Sequence, residues 1–400
     1  MPMGGASRRV VVTGIGVVSC CGIGPDAFFE GLSHSLADAE RRVNDFDPSR
    51  YFDAKEARQT DRFAQFSLAS AQMALDDAGD LGVDPMRAGV IFATGVGGLA
   101  TLQEQMSVLI EKGPRRVSPR LVPMMMSNAG AAAISMRFGF RGPCETVVTA
   151  CASATQAIGN AARLVASGRC DVVVSGGAEA AMSATGEIPP IGVAAFGNMT
   201  ALSTSGFSRP FDQRRDGFVI AEGGATLVLE EYEHALARGA HIHAEVLGSA
   251  STADAYHITA PMPGGEGALA CMEFALEDAG ITTADVAHIN AHGTSTGLND
   301  LAEAQAIAKL FGNPSPPVTS IKGVTGHSLG AAGAIEAVAV CLSLERGLIP
   351  PTVGLEELDP EITIDVVAGE ARAFTPGPVL SNSFGFGGHN GCLVIGPVAP

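Results

Sequence analysis

The chain has 400 residues, 25 Lys+Arg against 42 Asp+Glu for a formal charge of −17, and 46% hydrophobic residues. That apolar share supplies a sizeable core and excludes wholesale disorder, while the acidic balance excludes non-specific nucleic-acid binding and a polybasic membrane anchor. Eight scattered cysteines without zinc spacing, and no apolar run approaching about 18 residues, predict a soluble protein of a reducing compartment, the cytoplasm. Short β-rich runs alternate with helical patterns, which predicts an α/β fold with buried strands. The first strand is expected over residues 9–15, with no signal-peptide core before it. A helix follows over 62–78, where Phe63, Phe66, Ala69, Met73 and Ala74 mark one face, then a strand over 88–93. A second helix is read over 152–166, stopped by Gly168, and strands over 171–175, 225–229, 244–247, 287–290 and 317–321. An alanine-rich helix over 331–344 and strands over 379–382 and 392–395 complete the pattern. A small-residue helix follows Cys151 and another follows His327, each leading to a strand and a glycine-rich turn. This suggests an internal duplication, with halves 1–240 and 241–400.

Four segments carry chemistry. In Thr149-Ala150-Cys151-Ala152-Ser153, a cysteine at the start of an Ala-rich helix reads either as a thiolate nucleophile near the positive helix end or as a buried structural thiol. In Asn290-Ala291-His292-Gly293-Thr294-Ser295-Thr296, a histidine just after a strand can donate to a carbonyl, or it is a plain loop histidine. Lys322 and His327 lie five residues apart across a glycine-containing turn, where a cation can hold an imidazole neutral; otherwise they are surface and turn residues. The same stretch contains Gly326-His327-Ser328-Leu329-Gly330, a G-x-S-x-G elbow followed in order by Asp365 and His389. The elbow needs a strand running into the serine, and residues 322–326 are a poor strand. In Ser383-Phe384-Gly385-Phe386-Gly387-Gly388-His389, alternating glycines and aromatics suggest a mobile loop with amides free to face an oxyanion, or a simple turn. The fragments Gly14-Ile15-Gly16 and Gly95-Val96-Gly97-Gly98 lack the rest of a dinucleotide fingerprint and are read as turns.

Taken together, Cys151, His292, Lys322, His327 and the Gly-Phe-Gly-Gly loop resemble the elongating β-ketoacyl-acyl-carrier-protein synthases of the thiolase superfamily. Further matching blocks are Ser208-Arg209-Pro210-Phe211-Asp212, Arg215-Asp216-Gly217-Phe218 and Asp254-Ala255-Tyr256-His257, so the likeness spans essentially the whole chain. The resemblance implies a thiolase fold of two pseudo-repeated α/β halves in a five-layer αβαβα core. It implies decarboxylative Claisen condensation of an acyl group on Cys151 with malonyl-acyl carrier protein, in fatty-acid elongation. Cys151 would be the nucleophile, its pKa lowered by the long helix. His292 and His327 would hold the malonyl thioester carbonyl, Lys322 would support His327, and Glu336 would join the same polar network. The amides of Cys151 and Phe386 would form an oxyanion hole, with Phe386 and Gly387 in a gate and Asp254 on a second mobile loop. Thr294 and Thr296 would bind the pantetheine arm, and Val96 would line the acyl pocket where relatives often carry isoleucine. No bound cofactor or metal is implied. The partners implied are acyl carrier protein and a second copy of the chain.

The carrier protein is acidic too, so docking needs local positive charge, and the matching positions supply Lys55, Arg58, Arg115 and Arg116, with Arg62 nearby. Gln59 and Ser205 stand where relatives often place basic residues. Methionines 124–126 match a segment near the dimer interface, with core packing as the plainer reading, and Cys20-Cys21 is expected as two buried thiols. The same catalytic set would serve a type II polyketide pathway. A non-catalytic chain-length subunit is disfavoured by the intact Cys151. A coenzyme A thiolase would want a second catalytic cysteine in the C-terminal loop, whereas Cys392 falls in a strand, and a Ser328 hydrolase is the remaining alternative.

Overall fold

The computed structural model describes residues 8–34, 41–182 and 189–398. Ten strands carry the architecture: β1 (Val10–Ser19), β2 (Ala88–Ala93), β3 (Cys144–Val147), β4 (Val172–Glu179), β5 (Gly223–Glu231), β6 (Ala244–Ala253), β7 (His288–Asn290), β8 (Val318–Thr319), β9 (Val379–Gly385) and β10 (His389–Gly396). Five helices matter most: α1 (Arg62–Ala78), α2 (Ser153–Ala166), α3 (Glu266–Ala279), α4 (Gly297–Phe311) and α5 (Ala332–Arg346). β2 and α1 have the bounds the sequence predicts. The unexpected strand is β3, whose Cys-Glu-Thr-Val is short and half polar because it lies at the edge of the sheet.

The strands run in the order β3-β2-β4-β5-β1-β6-β10-β9-β7-β8. In the first half, β2 pairs in parallel with β3 and β4, and β5 pairs antiparallel with β4 and β1. In the second half, β7 pairs in parallel with β8 and β9, and β10 pairs antiparallel with β9 and β6. The same permutation therefore occurs twice, which is the duplication expected from the paired small-residue helices. The halves join through a short antiparallel contact, Val11 with Glu245 and Val12 with Ala244.

Helices α2 and α5 lie between the two half-sheets. Their Ile158, Val165, Ile335 and Val338 share one buried cluster with Val12, Val17, Leu227, Leu393 and Ile395. Burying each such aliphatic side chain contributes about 1.5–3 kcal/mol. The outer face of the first half is covered by α1 and the helix Ala129–Phe138, and that of the second by α3 and α4. The result is the αβαβα layering of a thiolase fold. Small residues permit the close approaches: a Cβ on Gly333 of α5 would come within 2.0 Å of Thr155 Oγ1 in α2. Gly14 and Gly16 are not in a turn, as expected, but within β1, where a Cβ on Gly16 would lie 2.1 Å from the Ser70 carbonyl oxygen of α1. Among the described residues no helix is long and apolar enough to cross a membrane, and the eight cysteines are free thiols.

Candidate active site

The parallel strands of both halves end at one cavity of about 690 Å³, lined by Cys151, His292, His327, Phe386, Thr294 and Val96 among others. Cys151 follows β3 and precedes α2 in a sharp turn whose Ala150 has φ 50°. A non-glycine residue in that region is strained and persists only where its surroundings enforce it. Here the Ser153 hydroxyl does so, accepting from Thr149 N at 2.8 Å and donating to Ala150 O at 2.6 Å. Burial pushes the Cys151 thiol up to about 11, although the Lys322 charge and the amides of Phe386 and Cys151 act to lower it. The expectation of a lowered pKa is thus corrected: burial, which disfavours the thiolate, is the largest effect and raises it.

His327 Nε2 lies 3.0 Å from Cys151 Sγ. Burial, reinforced by Lys322, holds His327 well below the ordinary imidazole value, so the resting pair is a neutral thiol and a neutral ring. The His292 ring stands edge-on to that of His327, centroids 5.3 Å apart, and a nitrogen from each ring and Sγ all lie within 4.8 Å of one another. Lys322 Nζ donates to the His292 carbonyl at 2.7 Å, sits 3.4 Å from His292 Nδ1 and pairs with Glu336. An ammonium only donates, so Nδ1 is the bare nitrogen of neutral His292 and Nε2 carries the proton. Burial, then Lys322 and His327, keep His292 neutral. Lys322 therefore touches His292, whereas the sequence reading had it supporting His327, which it reaches only through its charge. Burial lifts Glu336 to about 7 in spite of the ammonium.

Three buried carboxylates, Glu303, Asp300 and Glu179, escaped the sequence reading. Glu303 of α4 accepts from the backbone N–H groups of His292 and Gly293, each at 2.8 Å, and Asp300 one turn earlier accepts from those of Thr294 and Ser295. Together they hold the segment that carries His292, and the signal was two acids three apart in an alanine-rich helix. Glu179, at the end of β4, accepts from Gly95 N at 2.6 Å and Gly330 N at 3.3 Å, linking the loops that flank Cys151. Burial raises both Glu179 and Glu303 to about 7.

Thr294 and Thr296 join their hydroxyls at 3.0 Å on the cavity wall. The Phe386 ring sits 6.4 Å from that of Phe196, and Gly387 N donates to Ile258 O at 2.7 Å. Asp254 accepts from Asn390 Nδ2 at 2.7 Å and from Met262 N at 3.0 Å, so the loops bearing Asp254 and Phe386 are tied to each other. Other expectations change. Ser328 is preceded by a short helix, Lys322–Thr325, and Asp365 pairs with Arg372 at 2.5 Å, which removes the hydrolase elbow. Cys392 lies buried in β10, in a strand as expected. Lys55, Arg58, Arg115 and Arg116 are exposed, but Arg62 is engaged by Glu222 at 2.7 Å and stacked on Phe66, so it is a structural counter-ion and not a docking cation. Cys20 and Cys21 are half-buried, not buried, and Met126 is exposed, which excludes core packing for it.

Family models for the N-terminal and C-terminal domains of β-ketoacyl synthases match residues 33–235 and 243–356. The 3-oxoacyl-[acyl-carrier-protein] synthase 2 of Synechocystis sp. is 43% identical over 97% of this chain and 98% of its own. That of Vibrio harveyi is 41% identical over 98% and 100%. Among solved structures, a β-ketoacyl synthase from Burkholderia phymatum superposes with a TM-score of 0.89 at 35% identity, covering 98% of this chain and all of that one. A type II polyketide ketosynthase in complex with its acyl-carrier protein and bound to the hexaketide gives 0.88 at 32%, again over 98% and 100%. With the Cys-His-His constellation and its lysine in one cleft between duplicated halves, the chain belongs to the β-ketoacyl synthase family.

Proposed function

We propose that this chain elongates fatty acids by decarboxylative Claisen condensation, giving 3-oxoacyl-acyl carrier protein and carbon dioxide. The observation that carries the reading is the 3.0 Å contact between Cys151 Sγ and His327 Nε2 beside a His292 whose tautomer Lys322 fixes. In the first step the Cys151 proton passes to His327 Nε2 as sulfur attacks the acyl thioester. The amides of Cys151 and Phe386 hold the oxyanion, and the pantetheine thiol leaves with the proton. In the second step the Nε2–H of His292, and that of His327 once its ring has exchanged through solvent to the Nε2–H tautomer, donate to the malonyl thioester carbonyl. The carboxylate's C–C bond breaks, its electrons enter the enolate, and carbon dioxide departs. The enolate carbon then attacks the acyl carbonyl, the new C–C bond forms, and Cys151 sulfur is expelled as thiolate and takes up a proton from water. Thr294 and Thr296 bind the pantetheine arm, Asp254 and Gly387 set the gate around Phe386, and Val96 bounds the acyl tail. No cofactor enters this scheme.

The partners are acyl carrier protein, docking on Lys55, Arg58, Arg115 and Arg116, and a second copy of this chain. The second copy is supported by the edge position of β3 and by exposed Ile110, Val122 and Met136. The eight thiols suit a reducing cytoplasm. A type II polyketide role is the second reading, motivated by the hexaketide-bound neighbour, and the higher identity to 3-oxoacyl synthases favours fatty-acid elongation. The test compares Cys151→Ala with Ser328→Ala on acyl and malonyl carrier proteins. Cys151→Ala is expected to lose condensation yet still release carbon dioxide, because both histidines remain, while Ser328→Ala stays active. A dead serine variant with a fully active cysteine variant would reverse the assignment.

A further inference from the structure

A second cavity of about 450 Å³, which shares no lining residue with that of Cys151, is lined by Asp26, Asp76, Asp77, His243, Glu345 and Arg346 among others. The segment His241-Ile242-His243 runs into β6, where His243 N donates to Val12 O at 2.9 Å. Residues two apart in an extended segment point to one side, and both imidazoles meet the same acceptor. His241 Nε2 lies 3.0 Å and His243 Nδ1 2.6 Å from Glu345 Oε1. We propose that His241, His243 and Glu345 bind a borderline divalent cation such as Zn²⁺ or Co²⁺ where the two halves meet.

Three observations support the site. First, the three donor atoms lie within 4.8 Å of one another, and donors around a tetrahedral ion with bonds of about 2.0–2.1 Å stand about 3.3 Å apart, so small outward shifts suffice. Second, His243 directs its other nitrogen, Nε2, to Asp77 Oδ2 at 2.7 Å, and Asp77 is itself fixed by Ile15 N at 2.9 Å. A carboxylate behind a ligating histidine orients the ring and strengthens it as a donor. Third, Glu345 and Asp77 stand in the last turns of α5 and α1, whose negative dipole ends favour a cation. On the rim, Arg346 is engaged by Asp26 at 2.5 Å, leaving Asp76 to add negative charge. Two imidazoles with one carboxylate suit zinc or cobalt better than magnesium or calcium, which prefer all-oxygen shells. The adjoining cavity leaves room for water as the remaining ligand. Binding sends the proton shared by His243 and Glu345 to solvent and ties the end of α5 to the segment before β6.

The test titrates ZnCl₂ and CoCl₂ into Cys151→Ala protein, which lacks the thiol of the other Cys-His-His cluster. One equivalent of Co²⁺ with d–d absorption and no thiolate charge-transfer band is expected, and Zn²⁺ is expected to raise the melting temperature. Adding His241→Ala or Glu345→Gln should abolish both signals, and Asp77→Asn should weaken binding about 10–100-fold. His241 is 66% exposed in its side chain, so its replacement leaves the fold intact. With Cys151 present, His241→Ala should keep full condensation activity. Binding unchanged by His241→Ala and Glu345→Gln, a spectrum carrying only thiolate bands, or no bound cation would each overturn the proposal.

Discussion

Cys151 and His327 face each other as uncharged groups, and in the proposed first step the proton moves between them as the acyl carbonyl is attacked. Two neighbouring glutamates share that avoidance of buried charge. Glu179 and Glu303 have folded-state values near 7 against 4.5 for a free glutamate. A raised folded pKa means that their stability contribution is fully present below about pH 4.5 and is lost as pH rises through about 7. Glu179→Gln can keep an oxygen toward Gly95 and Gly330 and turn its amide to the Thr94 hydroxyl. This variant should therefore lose about 2–3 kcal/mol less stability than the parent between pH 5 and pH 8, measured by urea unfolding. Equal losses in both proteins would show that Glu179 is not the titrating group. The four residues Cys151, His292, Lys322 and His327 were legible because each sits in a short segment of distinctive chemistry. Glu179 was not, since its partners at 95 and 330 are remote in sequence and join it only once both halves have folded. The assignment of Lys322 to the wrong histidine has the same origin, because spacing along the chain says nothing of the ring 30 residues back.

Among elements, the strongest coupling lies between α2 and α5, the two helices that begin just after Cys151 and His327. Gly333 sets their separation, and a methyl there would fall on Thr155 Oγ1. Gly333→Ala should cost about 1–3 kcal/mol as overpacking. It should also lower condensation by up to about 100-fold, since a shift of about 1 Å between nucleophile and base is enough for that. An unchanged rate with lowered stability would indicate that the helices move together and preserve the pair. Helical periodicity made α1 readable residue for residue. The strands were found but cut short, as with β1, read to residue 15 and observed to Ser19. Its continuation, Gly-Val-Val-Ser, has weak strand character alone and is held by pairing with β5 and the Gly22–Ile23 strand. β3 was missed because an edge strand lacks the apolar run of a buried one.

For the whole molecule, the charge of −17 makes recognition of an acidic carrier a problem of local charge. With Arg62 engaged by Glu222, the proposed docking set is Lys55, Arg58, Arg115 and Arg116. The Debye length shrinks from about 10 Å at 0.1 M salt to about 3 Å at 1 M. The Michaelis constant for acyl carrier protein should accordingly rise with salt, and Lys55→Glu with Arg58→Glu should remove most of that dependence. A constant that stays flat or falls with salt would rule out this patch.

The outermost strand, β3, carries Cys144 exposed at its start, at the open margin of an otherwise buried sheet. That thiol can report the self-association proposed above. If a second copy covers the margin, alkylation by iodoacetamide should slow as protein concentration rises, while Ile110→Glu or Val122→Glu should restore the fast rate. Labelling that ignores both concentration and substitution would place the twin elsewhere. Run in Cys151→Ala protein and read at the Cys144 peptide, the labelling follows the margin alone, so partnership is measured apart from the chemistry of the nucleophile.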